Sequence, residues 1–259
     1  MQSVFGTALL SVALFLGILL MREIGRRIGD LERSRNPGVE IKGGTAAEGA
    51  VFGLLGLLIA FTFSGAATRF EDRRHLITEE ANYIGTAYLR VDLLPAGSQA
   101  GMRDLFRRYL DARLDTYRLV TEPERANAEL GRAVALQKEI WSAAIAAAGQ
   151  PGAGPDAAKL LLPALNEMID ITTTRLVATQ NHPPIAIFGM LAVLSMLGGL
   201  LIGYDQSGKT HRERVHMLVY ALIMSSAFYV ILDLEYPRMG FIRIDAADQI
   251  LVDLRADMG

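Results

Sequence analysis

Apolar residues are concentrated in four long runs, and polar residues occupy the chain between them. A bilayer core needs about 20 apolar residues in a helix. Four stretches reach that length, namely 4–21, 50–68, 185–204 and 215–234. This pattern predicts an integral membrane protein with four transmembrane helices. The long polar stretch between the second and third runs predicts a soluble insertion at that point.

The first run is predicted to be a retained membrane anchor rather than a cleaved signal peptide. No basic segment precedes it, its apolar length exceeds that of a signal peptide, and Arg22, Arg26 and Arg27 follow directly. The helix is expected to continue past these charges to residues 36–38, where the sequence Asn-Pro-Gly favours a turn.

The second run continues without a helix breaker into the polar insertion. Apolar residues from Phe70 to Leu94 recur at spacings of three, four and seven, which is typical of an amphipathic helix. One long helix is therefore predicted to leave the membrane and become the first helix of a bundle. Three further helices are predicted between the prolines and glycines of the insertion, at about 99–120, from near Thr121 to the loop at 149–155, and at 156–180.

The predicted fold is all-α, with a helical bundle inserted between transmembrane helices 2 and 3. We divide the chain into four parts on this basis. Residues 1–68 hold the first two transmembrane helices with their connecting loop, and 69–182 form the bundle that continues helix 2. Residues 183–234 hold the last two transmembrane helices, and 235–259 form a C-terminal tail.

Composition and motifs narrow the classes of function. The formal net charge is −2, and basic residues do not cluster with aromatic ones, which argues against a nucleic-acid partner. The absence of cysteine excludes disulfides and thiolate metal sites. No nucleophile elbow, phosphate-binding loop, dinucleotide-binding loop or metalloprotease helix is present. We therefore expect no enzymatic activity, no cofactor and no metal centre.

An acidic pair, Asp233 and Glu235, stands at the end of the fourth run. Acidic pairs near a membrane surface are usually solvated or bridged to an arginine, and Arg238 is close in sequence. The sharper interpretation is a cation site formed by the two carboxylates. Both interpretations remain open at the level of the sequence.

The second run carries two neighbouring rows on its helical surface. Small residues at steps of three or four let another helix approach closely in lipid, and these are Gly49, Gly53, Gly56, Ala60 and Ser64. Beside them, Gly53, Leu57 and Phe61 follow one another at steps of four. Ordinary packing within the membrane explains the glycines without any further function, so the rows alone leave packing and pore lining open.

The position of the charges limits the class of transport. No ionisable residue lies in the middle of a membrane run, whereas proton relays, voltage sensors and most ion-coupled carriers have one. A passive pore remains compatible, because an apolar constriction can gate by dewetting. Four helices in one subunit hardly enclose a pore, so conduction would require a ring of copies.

The residues around the second run resemble a known family. The stretch GLLIAFTFSGAATRFEDRRHLITEEANYIGTAYLRVDLLP, at 56–95, is similar to bacterial bestrophin-like membrane proteins. The sequence His-Pro-Pro at 182–184 and the stretch DLEYPRMGFIRI at 233–244 support the same resemblance. The resemblance extends over nearly the whole chain.

A more distant resemblance leads to the bestrophin channels. The second membrane helix of that family carries an aromatic residue, an alanine-containing turn, and then an arginine, an aromatic residue and a second arginine. A similar order occurs here at Phe61, Ala66, Arg69, Phe70, and Arg73 or Arg74. The resemblance implies a pentameric ion channel with four membrane helices per subunit and a helical cytosolic part between the second and third.

The same resemblance implies a pore neck of three bulky residues at four-residue steps, which fall here on Gly53, Leu57 and Phe61. Gly53 departs from the family pattern, so a neck would be wider at that level. The acidic calcium-binding cluster of bestrophins is missing after the fourth run, and the resemblance therefore does not carry calcium gating to this chain.

Short loops carry the signal for membrane orientation. Basic residues follow the first run and the third run, and none precedes the first. This rule places both short loops in the cytoplasm and the bundle on the periplasmic side of a bacterial inner membrane. The bestrophin resemblance implies a cytosolic bundle. We favour the periplasmic side.

Two functions are compatible with these observations. The first is a homo-oligomeric ion channel lined by helix 2, which the resemblance implies to be pentameric. Its partners would be the lipid bilayer, inorganic ions and further copies of the chain. The second is a non-conducting membrane protein whose helical bundle binds a ligand or a partner.

Overall fold

The computed structural model describes residues 4–36, 46–207, 214–238 and 240–259. Within these ranges the chain is helical and contains no strand, which confirms the all-α prediction. The helices are α1 (Val4–Arg35), α2 (Ala46–Leu89), α3 (Ala96–Arg118), α4 (Pro123–Ala148), α5 (Ala157–Gln180), α6 (Ile185–Asp205), α7 (Arg214–Glu235) and α8 (Asp245–Asp257).

Helix α2 is the long helix that the sequence predicts. It has 44 residues and no internal proline, and at 1.5 Å per residue it is about 66 Å long. A bilayer core takes up only about 30 Å of that length, so the helix continues well beyond a membrane-spanning segment. A 3-10 turn, Arg90–Leu93, ends it shortly before Pro95.

Four helices are long and apolar enough to cross a membrane, which agrees with the prediction of four transmembrane helices. They are α1, α2, α6 and α7. The third apolar stretch, Ala157–Asp205, also takes in α5. Residues 181–184 separate the two helices, and the apolar crossing segment is α6.

The chain forms two compact units, which are described separately. The first unit comprises Met1–Arg69 and His182–Ile242, as far as these ranges are described. In it, α1 packs most closely on α6 and also contacts α7. The contacts advance in the same direction along α1 and α6, from Gly17 beside Met196 to Gly29 beside Ser207, so the two helices are parallel.

The second unit comprises Phe70–Asn181 and Arg243–Gly259. The second half of α2 packs with α3, α4, α5 and α8 around one apolar core, in which Phe106, Tyr109, Ile140 and Leu165 are fully buried. The Tyr109 hydroxyl accepts a hydrogen bond from Gln137 Nε2 at 3.2 Å. Burial raises the pKa of that hydroxyl above its ordinary value.

A buried charge cluster joins four helices of this second unit. Glu80 on α2 is completely buried, and its Oε1 accepts a hydrogen bond from Arg113 Nε on α3 at 2.6 Å. Its other oxygen is paired with Arg175 on α5 and accepts a hydrogen bond from the Tyr117 hydroxyl. Arg175 also lies 3.9 Å from Asp248 on α8. Charges buried in this way persist only when they are paired.

The predicted start of the third bundle helix needs a small correction. The sequence suggested Thr121 as the residue that caps α4. The helix begins at Pro123 and its capping position is Glu122, which makes no side-chain capping bond. Proline at the first helical position needs no hydrogen-bond partner for its nitrogen and already has helical φ, so the helix begins there without a side-chain cap.

Candidate functional site

Helix α2 has one face that no described part of the chain covers. Phe61 and Leu57 are 69% and 52% exposed. Gly53 is exposed as well, and a Cβ built on it meets no atom of the described residues within 4 Å. The three positions predicted as the pore constriction therefore lie together on the open face of this helix.

The opposite face of the same segment is anchored. Leu55, Thr62 and Ala66 are buried. The Phe52 ring makes an edge-to-face contact with Tyr220 on α7, with ring centroids 6.0 Å apart. The apolar half of α2 is therefore held from one side by the rest of the first unit and is open on the other.

The residues predicted to pack in the membrane share the open face. Gly49, Gly56, Ala60 and Ser64 are all exposed. A Cβ on Gly49 or Gly56 would meet none of the described atoms within 4 Å. No helix of the described chain uses this small-residue row, so its role in packing remains a prediction that concerns contacts outside the subunit.

A charge cluster follows the apolar half of α2, within the first unit. Glu235, at the end of α7, is 1% exposed and accepts a hydrogen bond from Arg69 Nε at 2.9 Å. His182 Nδ1 lies 3.2 Å from the other oxygen of Glu235. Gly65 leaves room for the Arg69 side chain, because a Cβ there would be 3.2 Å from Arg69 Nη1. The cluster ties α2 to the end of α7 and to the short segment that precedes α6.

Asp233 holds the segment that follows α7. The carboxylate is 1% exposed and accepts backbone hydrogen bonds from Phe241 at 3.0 Å and Ile242 at 2.8 Å. Gly240 packs so closely on it that any side chain there would overlap the carboxylate. The Tyr229 hydroxyl lies 3.5 Å from Asp233 Oδ1.

Asp233 and Glu235 thus already have donors, and a cation would have to displace them. The part of the chain that the structure describes holds no group of three or more side chains suited to a metal ion. The candidate cation site remains a prediction. The sequence predicted a bridge to an arginine near these carboxylates and named Arg238; it gave no sign of Arg69 and His182, which are far from Glu235 along the chain.

The chain matches a known protein family and is similar in fold to solved structures. A family model described as a bestrophin-like domain matches residues 45–248. A point mutant of a bacterial bestrophin homologue from Klebsiella pneumoniae is similar over 99% of both chains, with a TM-score of 0.71 and 15% sequence identity. The structure of that homologue phased by Zn-SAD covers 95% of this chain and 98% of its own, with a TM-score of 0.70 and 14% identity.

At these identities the structural similarity demonstrates a shared fold. Comparison with curated proteins gave no match. The family match covers the whole of α2, the bundle up to the start of α8, and both later membrane helices.

Proposed function

This chain belongs to the bestrophin-like family, and on that premise we propose that it is a homo-oligomeric, pentameric ion channel whose pore is lined by α2. The family and the fold favour a channel-like role over an enzymatic one. The observation that carries the proposal is the open face of α2, where Gly53, Leu57 and Phe61 lie exposed beside a row of small residues.

The composition of that face differs from the other exposed membrane surfaces of the chain. On α1 the exposed residues are large and aliphatic, such as Leu9, Leu16 and Leu20, as expected for contact with lipid tails. On α2 glycine, alanine and serine alternate with Leu57 and Phe61. Small residues allow helices to approach closely, so a neighbouring copy of α2 fits this face better than lipid does.

In a ring of copies, Leu57 and Phe61 form two apolar levels about 6 Å apart along the helix. A constriction of apolar side chains closes a pore by excluding water from it, and it does not need to bind ions. Gly53 makes a wider level one turn before Leu57. No ionisable residue occurs between Glu48 and Arg69, so the wall of this segment carries no fixed charge to select between anions and cations.

Single-channel recording in planar bilayers tests the constriction. Phe61→Ala removes the most exposed ring on the open face and is expected to raise the conductance and the open probability several-fold. Phe63→Ala is the matched control, because Phe63 is also exposed but lies about half a turn away from Phe61. Unchanged conductance, gating and selectivity in Phe61→Ala would show that the neck is elsewhere.

Subunit number tests the ring independently. Electron microscopy of the purified protein should give five-fold particles with α2 on the axis. A dimer would exclude the pore, because two copies of α2 cannot enclose a channel. A pentamer without conductance would instead favour the second function, in which the bundle binds a ligand or a partner.

We further propose that the protein lies in the bacterial inner membrane, with the bundle on the periplasmic side. The multi-pass membrane character follows from the fold; the side rests on the arginines that follow the first run and the basic residues that follow the third. The chain has no cysteine, so Lys138→Cys provides a single labelling site on the bundle. An impermeant maleimide should label it in intact spheroplasts; labelling only after lysis would place the bundle in the cytoplasm.

A further inference from the structure

Helix α1 continues beyond its apolar run, and one side of the continuation is both apolar and exposed. Ile24, Ile28 and Leu31 follow each other at steps of four and three, and they are 38%, 47% and 52% exposed. Residues at these steps share one face of a helix. They prolong the exposed row that Leu16 and Leu20 form within the run. The apolar row therefore does not end where the charged residues begin.

The other side of α1 is fully used by α6. A Cβ on Gly25 would overlap the carbonyl of Leu200, and one on Gly29 would lie 2.6 Å from Ser207 Oγ. Arg22 Nε donates a hydrogen bond to Gln206 Oε1 at 3.1 Å. The contact with α6 thus covers a different face of α1 from the apolar row, and the side chains of the row stay exposed over the same stretch.

The pairing with α6 also locates the edge of the membrane on α1. The apolar run of α6 ends at Tyr204, and the backbone of Tyr204 faces Gly25 and Gly29. Ile24 and Ile28 therefore lie at the level where α6 becomes polar, and Leu31 lies about one turn further. The rise from Ile24 to Leu31 is about 10 Å. One headgroup layer is about 5–8 Å thick, so the three side chains span that layer.

Positive charge accompanies the row. Residues 22–35 contain five arginines and three acids, which gives a net charge of +2. Arg27 is 76% exposed and shares the single carboxylate of Glu23 with Arg26, at 3.1 and 2.9 Å. Arg26 also lies 3.4 Å from Asp30, so Arg26 and Arg27 face two carboxylates. The net positive charge of the stretch comes from its other three arginines, which have only Glu32 against them. Arg35 is exposed at the end of the helix, on the side of the row.

We propose that this face of α1, formed by Ile24, Ile28 and Leu31 with Arg27 and Arg35 beside it, lies in the headgroup layer and binds anionic phospholipids. The aliphatic side chains contact the upper part of the acyl chains, and the two guanidinium groups bind phosphate oxygens. Lipid is the occupant because the row is continuous with the lipid-facing row of the same helix. Interfacial helices are bound by this combination of apolar area and basic charge.

Site-directed spin labelling tests the location, and the cysteine-free chain makes it direct. Nitroxides are placed by Ile28→Cys and Leu31→Cys in the full-length protein, reconstituted in phosphatidylcholine–phosphatidylglycerol vesicles. Leu16→Cys is the reference for the acyl region, and Ser34→Cys, an exposed polar position one turn beyond Leu31, is the reference for water. We expect oxygen to collide with the labels at 28 and 31 more often, and a nickel chelate less often, than with the label at 34.

Two results would overturn the location. Collision rates at 28 and 31 equal to those at Ser34→Cys would place the row in water. Low rates with both oxygen and the nickel chelate would mean that protein covers the row, and a second copy of the chain would then be its occupant.

Fluorescence quenching tests the preference for anionic lipid. Leu31→Trp in a Trp141→Phe background gives a single tryptophan beside the row, because the chain contains one tryptophan. Brominated phosphatidylglycerol should quench it at lower mole fraction than brominated phosphatidylcholine. Each basic residue near a membrane surface contributes about fivefold to binding, so Arg27→Gln and Arg35→Gln should each reduce the preference by up to that factor.

Arg125→Gln is the matched control for these variants, because Arg125 is an exposed arginine on the bundle and, like Arg27, forms an ion pair with an acidic side chain. It should leave the quenching unchanged. Equal quenching by the two lipids in the otherwise unaltered protein, or a preference that survives the loss of both Arg27 and Arg35, would overturn the proposal.

Discussion

The glycines of α1 and α6 and the glycines of α2 have similar spacing but different surroundings. On α1 and α6, Gly25 and Gly203 face the backbone of the partner helix so closely that no side chain fits. On α2, Gly53 and Gly56 face open space within the described chain. The first set holds one subunit together. The second set plays no part in that task.

The difference shows what small residues on a membrane helix can and cannot indicate. Their spacing means that another helix can approach closely, but the partner decides whether it does. Because Gly53 and Gly56 make no contact within the described subunit, they are available for contacts between subunits. Substitution of glycine by alanine at four positions tests this distinction. The added methyl group meets different surroundings at each position.

The largest effect is expected for Gly203→Ala. The new methyl group would overlap the carbonyl of Arg22, and backbone cannot move aside without separating α1 from α6. Overpacking typically costs 1–3 kcal/mol and sometimes more, so we expect the free energy of unfolding to fall by about 3 kcal/mol or more. Reversible unfolding in mixed micelles measures it. A variant as stable as the original chain would mean that α1 and α6 are not packed through this glycine.

Gly198→Ala should have an intermediate effect. Its methyl group would overlap the Tyr220 hydroxyl and lie 3.0 Å from the Phe52 ring, and both side chains can tilt. We expect a loss of about 1–2 kcal/mol in the free energy of unfolding. Part of it comes from the hydrogen bond that Tyr220 donates to the Ser195 carbonyl at 3.0 Å. Tyr220→Phe isolates that part; a cost for Gly198→Ala below that of Tyr220→Phe would contradict the steric explanation.

Gly17→Ala should be nearly neutral. The methyl group would come within 3.1 Å of Met196 Sδ, and methionine readily changes its rotamer. Alanine also favours the helix over glycine by about 1 kcal/mol, which offsets the crowding. We expect the free energy of unfolding to change by less than about 1 kcal/mol, measured in the same micelles. If the free energy of unfolding fell as much as in Gly203→Ala, the atom that the new methyl group meets would not explain the difference between the two sites.

Gly56→Ala should leave the subunit intact and affect assembly instead. Its methyl group meets none of the described atoms within 4 Å, so the free energy of unfolding of the subunit should stay the same or rise by up to about 1 kcal/mol. Light scattering after size-exclusion chromatography should show a smaller fraction of complete rings at low concentration. A subunit destabilised as much as in Gly203→Ala, with assembly unchanged, would remove the distinction between the two sets of glycines.

Much of the fold could be predicted from the sequence because it depends on local patterns. The four apolar runs and the periodicity from Phe70 onward predicted the membrane helices and the passage of α2 into a bundle. The end of α2 near Pro95 followed from proline chemistry. The start of α4 was less accurate, because threonine is a favoured capping residue and pointed to Thr121, whereas the helix begins at Pro123 without a side-chain cap.

The rest depends on contacts between residues that are distant in sequence. Arg69, His182 and Glu235 come from three separate segments, and no pattern within any one of them indicates the others. The same holds for the glycines: a row on α2 and a row on α6 look alike until the partner helix is known. The positions Gly53, Leu57 and Phe61 were predicted from a family resemblance together with their spacing, and their function still awaits the recordings.

The buried cluster around Glu80 has a consequence for the time course of synthesis. Arg175 follows Glu80 by 95 residues, and at a translation rate of about 5–20 residues per second it is made roughly 5–19 seconds later. During that interval Glu80 has at most Arg113 as a charged partner from this cluster, and Asp248 is made later still. The full set of charged partners around Glu80 is therefore complete only after α5 and then α8 have been made, and before that Arg113 is its partner within this cluster.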